Sequence, residues 1–247
     1  MPVEEMKKPK LLRGRRRIDQ SKVPEGSLLL LDEWGTVLQM VPPPVAESMR
    51  GMVARLRVGE DLPKRIGLIS TIQGEGVSFL ASTLGLLLTH DTPKTVCIVE
   101  LNWWSGSGSR PDAPLGVSDV VKDRATLSDV RVATGNPGLT LLRSGSTTIA
   151  ERPYLSNSVE LDHILADLDD EHDHLILDLP AMSSSADALT LAQKATALIF
   201  VVQQGVTPEA DAKQALEQMQ GLPVLGAVLN RSSSRVPSFV RRRVGGA

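Results

Sequence analysis

Short runs of consecutive apolar residues alternate along this chain with segments whose apolar residues have helical spacing. Runs that are apolar at nearly every position are typical of strands covered by helices on both faces. The alternation therefore predicts an α/β fold, with a doubly wound, mostly parallel sheet of about 6–8 strands flanked by helices in three layers. Six runs are predicted to be strands: Arg65–Thr71, Thr95–Leu101, Leu139–Arg143, His174–Leu179, Ala197–Gln203 and Val224–Leu229.

The segments between these runs predict helices, and the flanks predict the limits of the folded domain. Basic residues crowd both ends of the chain, so residues 1–44 are predicted to be a largely disordered basic tail and residues 232–247 a short basic tail. One α/β domain is expected from 45 to 231. The predicted helices are Val45–Val58, Ser78–His90, Pro114–Val121, Leu127–Val132, Asn157–Glu171, Ser185–Lys194 and Pro208–Met219.

Composition excludes several classes of protein. The 247 residues carry a formal net charge of -2, which does not predict nucleic-acid binding. The single cysteine, Cys97, excludes a disulfide framework and indicates a reducing compartment. No apolar stretch is long enough to span a membrane, so a cytoplasmic location is expected. The basic tails are either solvated or hold the protein at the anionic inner face of the cell membrane.

A glycine-rich turn lies between the first strand and the following helix, where a phosphate-binding loop is expected. Glycines allow backbone amides to turn towards an anion, and the N-terminus of a helix adds partial positive charge. A working loop also needs a lysine after its last glycine and a hydroxyl for magnesium. Here Val77 occupies the lysine position and Ser78 supplies the hydroxyl.

On these residues the chain resembles the bacterial tyrosine autokinases (BY-kinases) of capsule and exopolysaccharide systems, a branch of the deviant Walker P-loop proteins. Their loop typically reads Pro-Gly-Glu-Gly-Lys-Ser-Thr, and here Gln73–Phe79 stands in its place. The family's Asp-x-Asp strand end corresponds to Glu100 and Asn102. Its Walker B strand corresponds to Leu175–Pro180, which retains Asp178.

The resemblance extends to the last strand and departs at the residues of catalysis. The family's final asparagine, expected to read adenine, corresponds to Asn230. Its oligomer motif Glu-x-x-Arg-x-x-Arg retains Glu47 and Arg50 but has Val53 in the third position. The family's C-terminal tyrosine cluster is missing, since Tyr154 is the only tyrosine.

The resemblance implies a set of site residues. Asp178, Glu100 and Asn102 would form a degenerate catalytic site, and Ser78 and Asp178 would hold magnesium if it binds. Asp178 could equally be a carboxylate left at a strand end by ancestry, the glycines could serve only the turn, and Ser78 could be a helix N-cap. The implied cofactor-binding residues are Gly74, Glu75, Gly76, Val77, Ser78, Phe79 and Asn230.

The expected function is that of a pseudokinase-like, non-catalytic accessory of exopolysaccharide or capsule synthesis and export. Its implied partner is an inner-membrane chain-length or copolymerase protein, and a homo-oligomer is plausible through Glu47 and Arg50. No cofactor is expected. The alternative is a switch that binds ATP or ADP with magnesium and hydrolyses it weakly or not at all.

Three smaller questions remain open from the sequence. A lysine from elsewhere could replace the one lost at Val77. Trp103 and Trp104 could form a partner surface or fill the core, and His172 and His174 fit a solvent-facing turn better than a metal site. The lysines considered as replacements are Lys64, Lys94 and Lys122.

Overall fold

The computed structural model describes residues 23–57, 61–104 and 114–232. Its centre is a seven-stranded sheet with the strand order β5-β6-β4-β7-β3-β8-β9. Every neighbouring pair is parallel except β5 and β6, which are antiparallel. The α/β fold predicted from the alternation is thus confirmed, with a mostly parallel sheet.

One or two α-helices separate each of the six strands that the sequence predicts from the next one. The strands are β1 Leu28–Leu31, β2 Val37–Val41, β3 Arg65–Ser70, β4 Val96–Glu100, β5 Arg131–Ala133, β6 Leu139–Leu142, β7 His174–Asp178, β8 Ala197–Gln203 and β9 Val224–Asn230. The helices are α1 Pro43–Leu56, α2 Val77–Asp91, α3 Val117–Val121, α4 Leu127–Val130, α5 Arg152–Asn157, α6 Val159–Glu171, α7 Asp187–Ala192 and α8 Glu209–Gln218. Among the described residues no helix is both long enough and apolar enough to cross a bilayer.

Two apolar clusters, one on each face of the sheet, form the core. The first joins α1, α2 and the strands β1 and β2 to one face, through residues such as Met49, Leu84 and Ile98. The second joins α3 and α5–α8 to the other face, through residues such as Leu165 and Phe200. Because both faces are covered, the central strands are buried at nearly every position, which explains their continuous apolar sequence.

The prediction of a disordered N-terminal tail is wrong for residues 28–41, which are folded. β1 and β2 pair as an antiparallel hairpin, and Leu28, Leu30 and Val41 belong to the first apolar cluster. The side chain of Asn136 fastens the hairpin to the turn before β6, because its Nδ2 donates to the Leu29 carbonyl and its Oδ1 accepts from the Leu31 amide. The remaining parts of the predicted tails, residues 1–22 and 233–247, lie outside the described residues.

Two further elements differ from the sequence prediction. The predicted helix Leu127–Val132 ends at Val130, and Arg131–Ala133 pairs with β6 instead. The short helix α5 was not predicted, since its six residues carry too little periodic pattern to be recognised. Both elements form through contacts with distant segments, and local sequence does not encode such contacts.

Candidate functional site

The glycine-rich turn after β3 has the conformation of a phosphate-binding loop. Gly74 and Gly76 have φ values of 91° and 96°, which side chains with a Cβ rarely adopt, and Gly76 is the N-cap of the 15-residue helix α2. Among the described residues, the backbone amides of Gly74, Gly76, Val77 and Ser78 donate no hydrogen bond to another protein group. The backbone therefore retains free donors at a helix N-terminus, which is an arrangement suited to an anion.

Glu75 fixes this loop from within. Its side chain is buried, and its carboxylate accepts hydrogen bonds from the amide of Ile72 at 2.9 Å and the amide of Gln203 at 3.0 Å. The hydroxyl of Thr207 donates to the same carboxylate. Glu75 thus ties the loop to the end of β8, and its carboxylate faces the protein interior. This role comes from a tertiary contact that sequence reasoning did not identify.

Asn230, at the end of β9, also contacts the loop. Its Nδ2 donates to the Glu75 carbonyl at 2.7 Å, and its Oδ1 accepts from the amide of Arg231. A Cβ added at Gly76 would collide with this side chain, so the glycine is also required by close approach. Asn230 therefore binds the loop backbone in this structure. Its predicted role in reading adenine stays a prediction.

Val77 is buried and belongs to the first apolar cluster. None of the three candidate replacement lysines reaches the loop. Lys64 and Lys94 precede β3 and β4, at the opposite edge of the sheet, where they contact the His172 carbonyl and Asp173. Lys122 donates to the Ser146 carbonyl at 2.9 Å and lies 3.5 Å from Glu151. The loop therefore has none of these lysines beside it.

Ser78, Glu100 and Asp178 meet at the carboxyl ends of the strands. Glu100 and Asp178 are register neighbours in β4 and β7, and the Ser78 hydroxyl lies beside the Asp178 carboxyl. The pKa of Asp178 is raised to about 7, chiefly by burial and to a lesser extent by the negative charge of Glu100, against the opposing effect of the Ser78 hydroxyl. Its Oδ1 has no hydrogen-bond partner among the described residues. Ser78 is the second residue of α2, so it is not the N-cap.

Trp103 and Trp104, in the segment after β4, have different environments. Trp103 is fully buried in the second cluster, and its indole Nε1 donates to the Ser144 carbonyl at 2.9 Å. Trp104 is half-buried, with the Arg152 guanidinium 5.0 Å from its ring centroid. Trp103 is therefore a core residue. Asn102, half-buried beside it, lies two residues beyond β4, so its predicted catalytic role stays a prediction.

The predicted oligomer residues pair within the chain. Arg50 donates to both carboxylate oxygens of Asp91, at 2.7 and 3.1 Å, and to Glu47 at 2.7 Å. These bonds connect α1 to the end of α2. Val53, where the resemblance places a second arginine, is buried in the core.

Two concave regions flank the loop. A groove of about 930 Å³ lies between α1, the start of α2 and β9, on the side of Asn230, and includes Met49, Met52 and Phe79 in its lining. A smaller cavity of about 320 Å³ lies on the other side, between the hairpin, α2 and the ends of β4 and β6. Its lining includes Ser78 and Glu100.

The residues present fit magnesium and a diphosphate only in part. The Ser78 hydroxyl and the unpartnered Asp178 Oδ1 are oxygen donors of the kind magnesium prefers, and the loop amides suit phosphate oxygens. A cation at the Val77 position is what the loop lacks. No group of three or more metal-ligating side chains occurs in the described part of the chain.

The two histidines lie inside the protein, not at a solvent-facing turn. His172 and His174 are buried, and their Nδ1 atoms lie 3.2 Å from the Leu168 carbonyl and 3.0 Å from the Pro63 carbonyl. Burial lowers the pKa of both imidazoles. Their role is structural, because each ring is held by a backbone oxygen.

Sequence comparison relates the chain to bacterial tyrosine kinases. A tyrosine-protein kinase CpsD of Streptococcus agalactiae serotype Ia is 26% identical over 186 residues, which cover 71% of this chain and 78% of the relative. The tyrosine-protein kinase ptk of Acinetobacter johnsonii is 23% identical over 193 residues, 74% of this chain but 26% of that protein. No protein-family model matches the chain.

Solved structures share the fold. The kinase domain of Escherichia coli tyrosine kinase ETK superimposes with a TM-score of 0.66 at 19% identity, covering 79% of this chain and 77% of that one. A cobyrinic acid a,c-diamide synthase from Mycobacterium smegmatis, with bound ADP and magnesium, has a TM-score of 0.57 at 23% identity, over 74% of this chain and 80% of that one. The chain is thus similar in sequence to bacterial tyrosine-protein kinases and shares the fold of a solved tyrosine kinase domain.

Proposed function

We propose that the protein is a pseudokinase-like accessory of exopolysaccharide or capsule synthesis and export that acts by binding and does not transfer phosphate. The observation that carries the proposal is Val77, a buried valine at the position where a phosphate loop needs a lysine. Positive charge there is a large part of phosphoryl-transfer catalysis, and an apolar side chain cannot supply it.

Two further features support a binding role. Glu100 brings a carboxyl group to the site, and no lysine follows the last glycine of the loop to offset its negative charge. The negative phosphates of a nucleotide would therefore meet less positive potential than in a loop that carries lysine. Tyr154, the only tyrosine, lies in α5, so the chain has no tyrosine cluster to modify.

The proposed partner is the cytoplasmic part of an inner-membrane chain-length or copolymerase protein, which would bring the chain to the inner face of the membrane. The relationship to capsule-type tyrosine kinases supports this pathway. Association of the basic ends with anionic lipid and self-assembly through α1 belong to the same proposal. Co-purification of the full chain with the copolymerase encoded in the same gene cluster tests the partner, and failure to co-purify from detergent extracts would contradict it.

Phosphate transfer is tested by incubating the full chain with radiolabelled ATP and magnesium, alone and with that partner. We expect no incorporation, because the site lacks its cation. Incorporation that disappears in both Asp178→Asn and Tyr154→Phe would overturn the proposal, since it would identify the site and its acceptor together. A lysine-bearing bacterial tyrosine kinase is the positive control.

A nucleotide-binding switch is the second candidate, and the free loop amides with the Ser78–Asp178 pair favour it. Calorimetric titration with ATP or ADP and magnesium separates the two. Absence of binding at millimolar nucleotide supports the accessory role without a cofactor, whereas micromolar binding supports the switch. Val77→Lys, with Val77→Met as the control for size, should gain nucleotide affinity because the rest of the loop is in place.

A further inference from the structure

We propose that the cavity between the β1–β2 hairpin, the start of α2 and the ends of β4 and β6 binds a small, neutral polyhydroxyl molecule of about the size of a hexose. This site goes beyond the proposed function, because it requires neither a nucleotide nor a protein partner. The term "hairpin cavity" is used for it below.

The hairpin cavity has the size of a small-molecule site. Its volume is about 320 Å³, at the lower end of the range of about 300–1,000 Å³ for ligand pockets. Its described walls come from separate parts of the fold: the hairpin, the first turns of α2, Pro114, and the strand ends at Glu100 and Arg143–Gly145. A ligand there would be held from several sides.

The polar groups of the hairpin cavity include both hydrogen-bond donors and acceptors. Glu100 offers carboxylate oxygens, and Arg143 offers guanidinium donors. Both side chains also have interactions within the protein, and neither has to be free for this argument. The hydroxyls of Ser78, Ser82 and Ser144 can donate or accept. Adjacent hydroxyl groups of a polyol both donate and accept, so a mixed lining of this kind suits them.

Charge favours a neutral ligand over an anion. Among the described residues that line the hairpin cavity, the charged side chains are Arg143 and Glu100, and their charges offset each other. A phosphate or carboxylate ligand would be attracted by Arg143 but repelled by Glu100. A polyol meets no such repulsion.

The lining also includes apolar side chains. Leu30 and Leu38 come from the hairpin, Phe79 from α2 and Leu141 from β6. The C–H face of a ring polyol is apolar and can pack on such side chains, while its hydroxyl groups reach the polar lining groups. The combination of apolar and polar lining residues is the feature that indicates a ring-shaped polyol.

The walls are held in place before any ligand arrives. The Gln39 amide donates to the Phe79 carbonyl and to the Thr83 hydroxyl, both at 3.0 Å, which fixes the hairpin on α2. A Cβ added at Gly116 would collide with the backbone of Arg143 and Gly145, so the strand-end wall is closely packed behind. Such rigidity lowers the entropic cost of binding.

The test is a titration of the ¹⁵N-labelled full chain, without nucleotide, followed by two-dimensional NMR. The probes are D-glucose and myo-inositol as neutral polyols, and inorganic phosphate and acetate as anions. We expect saturable shifts of the Ser82, Ser144 and Gly145 amides with a polyol, at an affinity of roughly millimolar order. Ser82→Leu, which fills the hairpin cavity, should weaken binding at least about tenfold, the effect of about 1.4 kcal/mol.

Arg143→Met removes the guanidinium but keeps the length of the side chain, and it should also weaken polyol binding. Ser48→Leu makes the same change as Ser82→Leu in the other groove, so it should leave the polyol shifts unchanged. Three results would each overturn the proposal: no saturable shift with either polyol, shifts that survive Ser82→Leu, or saturable binding at these amides of phosphate or acetate in place of the polyols. None of these results depends on whether the chain binds ATP.

Discussion

Asp178 carries a carboxyl group that the fold removes from water. Its pKa, about 7, lies above the ordinary value of 3.8, so the folded state holds its proton over a pH range in which the unfolded state has lost it. Stability from this group is complete below about pH 4 and is lost as the pH rises through 7. At pH 8 the protein therefore carries a buried, partly unsatisfied charge.

Asp178→Asn should raise thermal stability at pH 8, by about 2 kcal/mol, because the amide has the same shape without the charge. Below about pH 4 the two proteins should differ little, since the wild-type carboxyl is then protonated in both the folded and the unfolded state. Thermal denaturation across this pH range measures the effect. An equal gain at every pH would show that the charge of Asp178 is not its cause.

Asp173→Asn is the matched control with the opposite sign. The amide of Thr95 donates to this carboxylate, and the Lys94 ammonium and the Thr95 hydroxyl add to it, so its pKa lies well below the ordinary value. A lowered pKa contributes stability above the unfolded pKa, and that stability is lost as the pH falls. Asp173→Asn should therefore lower the melting temperature at neutral pH.

At the scale of elements, the glycine-rich loop depends on Glu75. Glu75→Ala leaves the Ile72 amide without an acceptor inside the protein, and it leaves the Gln203 backbone and the Thr207 hydroxyl only their bonds to each other. This loss should cost about 1–3 kcal/mol. Hydrogen exchange of Ile72 and Gln203 should accelerate, as measured by mass spectrometry or NMR. Glu33→Ala, on an exposed turn, is the control, and equal acceleration in both would contradict the assignment.

The hairpin depends in the same way on Asn136. Asn136→Ala removes its hydrogen bonds to the Leu29 carbonyl and the Leu31 amide, both 2.9 Å long. We expect a loss of about 1–2 kcal/mol and faster amide exchange in β1 than in β7. Asn157→Ala removes a local, exposed bond to Pro153 and should change neither. Unchanged exchange in β1 would mean that apolar packing alone holds the hairpin.

The sequence predicts elements well where a local pattern decides them. β8 was predicted at its observed limits, Ala197–Gln203, because a buried central strand is apolar throughout. The hairpin was missed because its strands are short and are stabilised by α2 and Asn136, far along the chain. The sequence predicts helix for Arg131 and Val132, but the pairing of β5 with β6 overrides this local preference.

The contacts of the candidate site also divide into those that the sequence predicts and those that it does not. The meeting of Ser78, Glu100 and Asp178 follows from the rule that parallel strands bring their carboxyl ends to one edge. The clamp between Glu75 and Thr207 could not be predicted, because 132 residues separate the two side chains. The position of Asn230 against Gly76 likewise depends on how β9 is placed beside β8.

At the scale of the whole molecule, the buried histidines lower the stability of the folded protein at acid pH. The pKa values of His172 and His174 are lowered by burial, so the unfolded state takes up protons first as the pH falls below about 6.5. Acid should therefore favour unfolding, opposite to the effect of Asp178. In the double variant His172→Gln and His174→Gln, the melting temperature should fall less steeply as the pH is lowered below about 6.5. An equally steep fall in the variant and the wild type would contradict this account.

The ion pairs of Arg50 connect α1 to the end of α2, and replacing this residue measures how much they stabilise the protein. Because its guanidinium already pairs with Asp91 and Glu47, Arg50→Ala should lower stability by about 1 kcal/mol or less, as expected for partly exposed ion pairs. Light scattering should give the same molar mass as the wild type. A fall in mass would show that Arg50 also serves an interface between copies.

The last strand of the sheet has a consequence for how the protein behaves in concentrated solution. β9 pairs with β8 on one side, and among the described residues no strand pairs with its other side; Leu225 and Leu229 are exposed on it. An open, apolar edge can accept a further strand from any neighbouring chain. When the protein is overproduced without a partner bound at this edge, it should therefore aggregate irreversibly. Leu229→Lys should increase the yield of purified protein.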